Sequence, residues 1–235
     1  MQLFYNSNLD LSISQFTFPA EESKHIVKVL RKKEGDMVYI TNGVGYIFDA
    51  RIIVADPKRC KVEIVNTTKK HPKRYHLHMV VAPTKMNDRF EWFLEKATEI
   101  GVHEITPIIC DRSERKVIKQ ERMQKVIQSA MKQSLQAYLP KLNKAISFKD
   151  YMKEPQDGLL FIAHCDDGEK MELKRRVAPD KDITILIGPE GDFSGKEIDT
   201  ALKTGFLPVS LGENRLRTET AAIFACTVVT IINNG

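Results

Sequence analysis

The chain has 235 residues, which at about 150 residues per domain means one large domain or two small ones, either long enough to bury a core. With 42% hydrophobic, 29% charged and 8% aromatic residues it falls outside the disordered and collagen-like classes, and its net charge of +5 is too small to identify a polyanionic partner. The longest nearly apolar run, residues 221–232, falls well short of the roughly 20 residues of a bilayer span, and the first basic residue is Lys24, so no secretory leader is expected. A cytoplasmic protein with no membrane partner is expected.

In chain order, residues 21–31 carry Ile26, Val27 and Leu30 at helical spacing, and 37–41 and 46–54 alternate like strands about the turn dipeptide Asn42-Gly43. Residues 60–65 add another alternating strand, so the first part of the chain predicts a small, mostly β module with a basic surface. Residues 67–74, with His71, Pro72 and four basic side chains, have the polarity of a linker, and the expected domains are 1–70 and 71–235. Beyond the boundary, strands alternate with longer helices. Strand 75–82 precedes an amphipathic helix over 88–100 closed by Gly101, then strand 102–109 and a helix from about 114 to 138. The continuous apolar runs 159–163 and 183–187 are of the kind a parallel sheet buries on two faces. Ser194 and Glu197 form a capping box, Gly205 ends that helix before strand 206–211, and the final helix from about Thr218 is apolar on nearly every side. Such a helix belongs in a core or at a subunit interface. The class is α/β.

Three basic groups stand in the first half of the chain: Lys24, Lys28, Arg31, Lys32 and Lys33; Lys58, Arg59, Lys61, Lys69, Lys70, Lys73 and Arg74; and Arg112, Arg115, Lys116, Lys119, Arg122 and Lys125. A solvated face explains any one of them, whereas three together point to phosphate contacts. Cys60, Cys110, Cys165 and Cys226 lie too far apart for a zinc knuckle or redox dithiol, so buried, reduced thiols are expected. His76 and His78 share a strand face without a third ligand, and no metal site is expected. Phe90, Trp92 and Phe93 are expected in the core.

Two glycine-bearing loops follow predicted parallel strands, where α/β sheets bind ligands: Ile187-Gly-Pro-Glu-Gly191 and Leu211-Gly-Glu-Asn-Arg-Leu-Arg-Thr-Glu-Thr-Ala221. Neither has a phosphate-binding pattern, which leaves a nucleoside triphosphate or dinucleotide site unsupported. Gly188, Gly191 and Gly212 would let main chain approach a flat or apolar ligand closely, although turn geometry alone explains each glycine taken singly.

Taken together, IGPEGDFSGKEID and SLGENRLRTETAA resemble the carboxy-terminal signature of the SPOUT methyltransferases, specifically the RsmE family. That family methylates N3 of a uridine in 16S ribosomal RNA using S-adenosylmethionine. His25-Ile-Val-Lys-Val-Leu-Arg31 with Gly35-Asp36 resembles its PUA-like RNA-binding module, and Lys85, Arg89, Lys96, Glu99-Ile-Gly-Val102, Ala130, Gln133 and Ser134 match its central helices. The resemblance implies a deep trefoil knot and a homodimer whose substrate is 16S ribosomal RNA or the small ribosomal subunit. It also implies cofactor contacts from Ile187, Gly188, Pro189, Glu190, Gly191, Leu211, Gly212, Leu216, Thr218 and Ala221; His164, at the ligand-binding end of its strand, is expected either to border the cofactor or to be a satisfied strand-end histidine. Asp192 stands where the family usually has glycine, Arg215 where it has an aliphatic residue, and Gln136 where arginine is common.

Uracil N3 carries a proton, so methyl transfer must favour the deprotonated base, and positioning with electrostatics should dominate. Arg217 and the amino terminus of the last helix would stabilise charge on the uracil carbonyl oxygens. Glu219 or Glu190 would accept the N3 proton if buried, with capping or loop anchoring as the alternative role of each. His25, Lys28, Arg31, Lys32 and Arg112 are the expected RNA contacts. The competing functions are methylation of another RNA, on tRNA or a ribose hydroxyl, and a non-catalytic ribosome-assembly factor.

Overall fold

A computed structural model describes residues 2–166 and 168–234. The chain opens with β1 (Leu3–Tyr5), β2 (Gln15–Thr17) and a short helix α1 (Ala20–Lys24), followed by β3 (Met37–Thr41), β4 (Tyr46–Val54) and β5 (Lys61–Lys69). These strands form one sheet in the order β1-β3-β4-β5-β2, antiparallel except where β1 runs parallel to β3. Alternate residues Val38, Ile40, Phe48, Ala50, Ile52 and Val62 turn inward onto Phe4, Phe18 and Ile26, which is the packing the period of two anticipated.

Two expectations for this region need correction. Residues 21–31 are not one α-helix, because α1 passes into a π-helical turn, His25–Val29, closed by a Leu30 N–H to His25 carbonyl bond. Arg31 sits at φ +54°, and a helix cannot continue through a left-handed residue, so its last turn widens and stops. Residues 67–69 are strand rather than linker: Thr67, Thr68 and Lys69 pair with Phe48, Ile47 and Tyr46. Backbone pairing holds a strand whose side chains face solvent, and polarity alone hides it.

Residues 131–139 complete this first unit, which otherwise runs to Pro72. The Ala137 carbonyl accepts from Thr41 Oγ1 at 3.1 Å, and the Tyr138 hydroxyl donates to the Lys70 carbonyl at 2.9 Å. Gly45, at φ +99°, lies so close to the Tyr138 ring that any Cβ there would collide with it.

The second unit takes residues 73–130 and 140–235. Its elements are β6 (Leu77–Val81), α2 (Asn87–Ile100), β7 (Glu104–Ile109), α3 (Gln120–Gln133) as far as residue 130, β8 (Lys141–Leu142), β9 (Ile146–Ser147), α4 (Phe148–Tyr151), β10 (Leu159–Ala163), β11 (Met171–Glu172), β12 (Ile183–Ile187), α5 (Gly195–Lys203), β13 (Leu207–Ser210) and α6 (Thr218–Asn234). The strands form a parallel sheet in the order β11-β13-β10-β12-β6-β7-β8, with β9 also on β7. All five residues of β12 are buried, as a central strand covered on both faces requires.

The helix expected over 114–138 is shorter. Before it, Arg115 donates to the Thr84 and Lys85 carbonyls, and after it Leu135 at φ +57° breaks the repeat. Trp92 is 46% exposed, because the buried stripe of α2 runs through Phe90, Phe93, Leu94 and Ala97, and Trp92 falls on the far side. Cys60, Cys110 and Cys226 are buried as expected, whereas Cys165 is exposed. α6 packs on α2, β6 and β12 through Ala222, Ala225, Cys226 and Val229, yet leaves Phe224 and Ile231 exposed. Among the described residues, no helix is long and apolar enough to cross a membrane.

The expected capping box is formed: Ser194 caps α5, and Glu197 Oε2 accepts the Ser194 N–H at 2.8 Å. Glu197 is buried, and its Oε1 also accepts the Asp111 N–H at 2.9 Å, tying α5 to the end of β7. Glu197→Ala strands both donors and should lower the unfolding free energy by about 1–3 kcal/mol in a denaturant titration.

Candidate functional site

The carboxyl ends of β10, β12 and β13 surround a cavity of about 710 Å³, within the roughly 300–1,000 Å³ of small-molecule sites. Three loops form it. After β12, Gly188, Pro189 and Glu190 supply one wall; Leu211 to Thr218, with Ala221 of α6, supply a second; Ala163, His164 and Cys165 supply the third. The loops are tied to one another. Thr218 Oγ1 donates to the Gly188 carbonyl at 3.1 Å, Glu190 Oε1 accepts the Lys85 N–H at 2.9 Å, and Asp192 Oδ2 accepts the Cys165 N–H at 2.6 Å. Gly188 has little room for a side chain, since a Cβ would lie 3.1 Å from the Phe193 ring. Gly212, at φ +120°, takes a conformation that favours glycine.

Of the residues expected at a cofactor site, His164, Ile187, Gly188, Pro189, Glu190, Leu211, Gly212, Leu216, Thr218 and Ala221 line this cavity together with Arg217. Gly191 does not line it: the Arg112 side chain packs over Gly191 and donates to the Gly191 and Phe193 carbonyls at 2.9 and 3.2 Å. Glu219 does not line it either. One residue along α6 from Thr218 turns the side chain by about 100°, and Glu219 is buried facing Arg89 of α2, with Oε1 3.8 Å from Nε. Cys165, Lys170, Asp192, Val209 and Arg215 line the cavity without having been assigned to it. No periodic signal marks Lys170, whose ammonium reaches back to the His164 and Asp166 carbonyls.

Burial, reinforced by the Lys170 ammonium, holds the His164 imidazole below its ordinary value and thus neutral near pH 7, while partial desolvation of the otherwise exposed side chain and the Asp192 carboxylate push the Cys165 thiol up. A raised thiol pKa makes Cys165 a poor nucleophile. Arg217 stands immediately before α6, whose first residue, Thr218, lines the cavity with it.

The expected RNA contacts divide. Lys28 and Arg31 are exposed and Lys32 is half-buried, but the His25 ring packs edge-on against Phe4 at 6.3 Å. In the third basic group, Arg112 and Arg115 hold backbone carbonyls and Arg122 pairs with Glu91, leaving Lys116, Lys119 and Lys125 as its exposed lysines. His78, pushed down to about 4 by burial, is neutral and bonds Thr106 Oγ1 at 2.7 Å; His76 lies 3.6 Å from Glu104.

Residues 70–230 match the family described as RNA methyltransferase domain, and residues 18–65 the one described as RNA methyltransferase PUA domain. A Buchnera aphidicola protein named ribosomal RNA small subunit methyltransferase E is 33% identical over 231 residues, covering 94% of this chain and 89% of its own. The crystal structure of a probable rRNA-methyltransferase from Porphyromonas gingivalis matches with a TM-score of 0.92 at 40% identity, covering 100% of this chain and 99% of its own. A ribosomal RNA small subunit methyltransferase E from Neisseria gonorrhoeae, solved with S-adenosyl methionine bound, matches at 0.86 with 26% identity, covering 99% of this chain and 98% of its own.

The bonds made by Arg112 identify it as a clamp on the loop after β12. Arg112→Ala should cost about 1 kcal/mol of stability and speed amide exchange over residues 189–193, whereas Lys116→Ala should do neither.

Proposed function

This chain belongs to the RNA methyltransferase family, and from that premise we propose that it methylates N3 of a uridine in 16S ribosomal RNA with S-adenosylmethionine as donor. The observation that carries the reading is the cavity itself: the two signature loops, separate in sequence, meet there and are joined by the bond from Thr218 to Gly188. Its wall fits the donor. Ile187, Leu211, Leu216 and Ala221 offer apolar surface to an adenine, main chain at Gly212 lies open, and neither loop has a phosphate-binding pattern.

When bound, the cofactor supplies an electrophilic methyl group on a sulfonium. The protein's own part is to hold the uracil in line with that methyl and to stabilise charge on its carbonyl oxygens. Arg217, beside the amino terminus of α6, is assigned to the charge. Of the two carboxylates considered for the N3 proton, Glu190 lines the cavity but is exposed, so the burial that a carboxylate base needs is not met there, and it is assigned to anchoring its loop through the Lys85 N–H. Glu219 is assigned to anchoring Arg89.

The first unit, a PUA domain, presents Lys28, Arg31 and Lys32 for phosphate contact. A homodimer is part of the same reading, supported by the exposed Trp92 on α2 and Phe224 and Ile231 on α6, large apolar side chains on two helices that pack together. So are the trefoil knot implied by the family resemblance and a cytoplasmic location, where ribosomal subunits are assembled.

The direct test is mapping of modified nucleosides in 16S ribosomal RNA from cells with and without the protein, where loss of one N3-methyluridine is expected and an unchanged map overturns the assignment. Arg217→Ala should lower the methylation rate about tenfold to a thousandfold with little change in cofactor affinity. Replacing Arg31 and Lys32 together by Ala should weaken RNA binding and flatten its salt dependence, by up to about one unit of slope for each phosphate no longer neutralised, with cofactor binding intact.

A further inference from the structure

Asp192 combines two features that cost stability. It sits at φ +62°, a left-handed conformation that L side chains adopt only at a penalty, and its carboxylate has no ion-pair partner among the described residues although it lines the cavity. The side chain is nevertheless fixed. Oδ1 accepts the Phe193 N–H at 2.8 Å, Oδ2 accepts the Cys165 N–H at 2.6 Å, and the Asp192 N–H closes a turn onto the Pro189 carbonyl at 2.9 Å. A carboxylate has about four acceptor sites, so two backbone donors and the Cys165 thiol still leave it able to face a ligand.

Methyl transfer changes the charge of the ligand in this cavity by one unit: the donor is a sulfonium, and the product is a neutral thioether. A fixed negative charge in the wall therefore stabilises the donor relative to the demethylated product. We propose that Asp192 is the residue by which this cavity distinguishes S-adenosylmethionine from S-adenosylhomocysteine, holding the donor and weakening product inhibition. The proposal rests on the cavity being the cofactor site. The other charges of the wall suit other tasks. Lys170 is engaged by two carbonyls and Arg215 and Arg217 carry the opposite sign, while the wall's other two carboxylates, Glu190 and Glu213, are exposed to solvent that screens them, whereas Asp192 is half-buried.

The test is calorimetry on the full chain with S-adenosylmethionine, S-adenosylhomocysteine and 5′-methylthioadenosine, a neutral thioether without the amino-acid end. Two variants are compared with wild type: Asp192→Asn, which removes the charge and keeps the shape at the cost of one of the two backbone bonds, and Asp192→Gly, which removes both bonds but is at ease at φ +62°. Both should weaken the sulfonium ligand by roughly three- to tenfold while leaving the two thioethers within about twofold. Equal losses for S-adenosylmethionine and S-adenosylhomocysteine would reassign Asp192 to the ammonium group common to both, or to loop anchoring, and overturn the proposal; unchanged affinities would overturn it too. Ala221→Trp, which fills the cavity from α6, separates the two levels. If it leaves the binding of all three ligands intact, the site assignment falls and the proposal with it; if it abolishes binding while the Asp192 variants keep the wild-type ratio, only the proposal fails.

Discussion

The six residues that leave β12 are the part of the second unit on which its site depends. A parallel strand ends with carbonyls and amides that its neighbours no longer pair, and here those groups are taken up from every side. Thr218 reaches Gly188, Lys85 reaches Glu190, Arg112 reaches Gly191 and Phe193, and Asp192 draws in Cys165. Each bond joins segments remote in sequence, so the loop is rigid only when the whole sheet is assembled. A ligand site made of main chain needs such rigidity, because backbone groups recognise a ligand only when held in place beforehand.

The same demand for fixed geometry governs the basic residues. A guanidinium forms several hydrogen bonds in one plane, and Arg112 and Arg115 use it to hold carbonyls of neighbouring loops. Lysine, a mobile point charge, stays at the surface at positions 28, 116, 119 and 125. Cationic composition thus overstates the number of groups available to RNA, and within the group over residues 112–125 the overstatement falls on arginine.

In the first unit the controlling constraint is the close approach of Tyr138 to the turn over residues 42–45. Glycine at 43 and 45 supplies the positive φ angles of the turn; Gly45 leaves space for that ring, and Gly43 leaves space for Tyr5 and for Leu139 next to Tyr138. The turn dipeptide visible in the sequence therefore has a second cause, since a residue more than 90 positions away also requires it.

The sequence by itself determined whatever depends on short-range pattern. The apolar runs of β10 and β12 and the alternation of β3 and β4 coincide with the strands residue for residue, and the capping box of α5 forms as its spacing demands, because burial and capping act between near neighbours. The resemblance of the two glycine loops to a known family located most of the cavity wall as well. Tertiary structure decided the rest. Where a helix stops at Arg31 or Leu135, and whether residues 67–69 pair as strand, depends on partners and left-handed residues that carry no periodic signal. Only the assembled loops place Lys170 and Asp192 in the cavity and turn Gly191 and Glu219 out of it. Side-chain direction at a loop or a helix end follows from contacts across the fold, and those contacts have no spacing in the chain from which to be read.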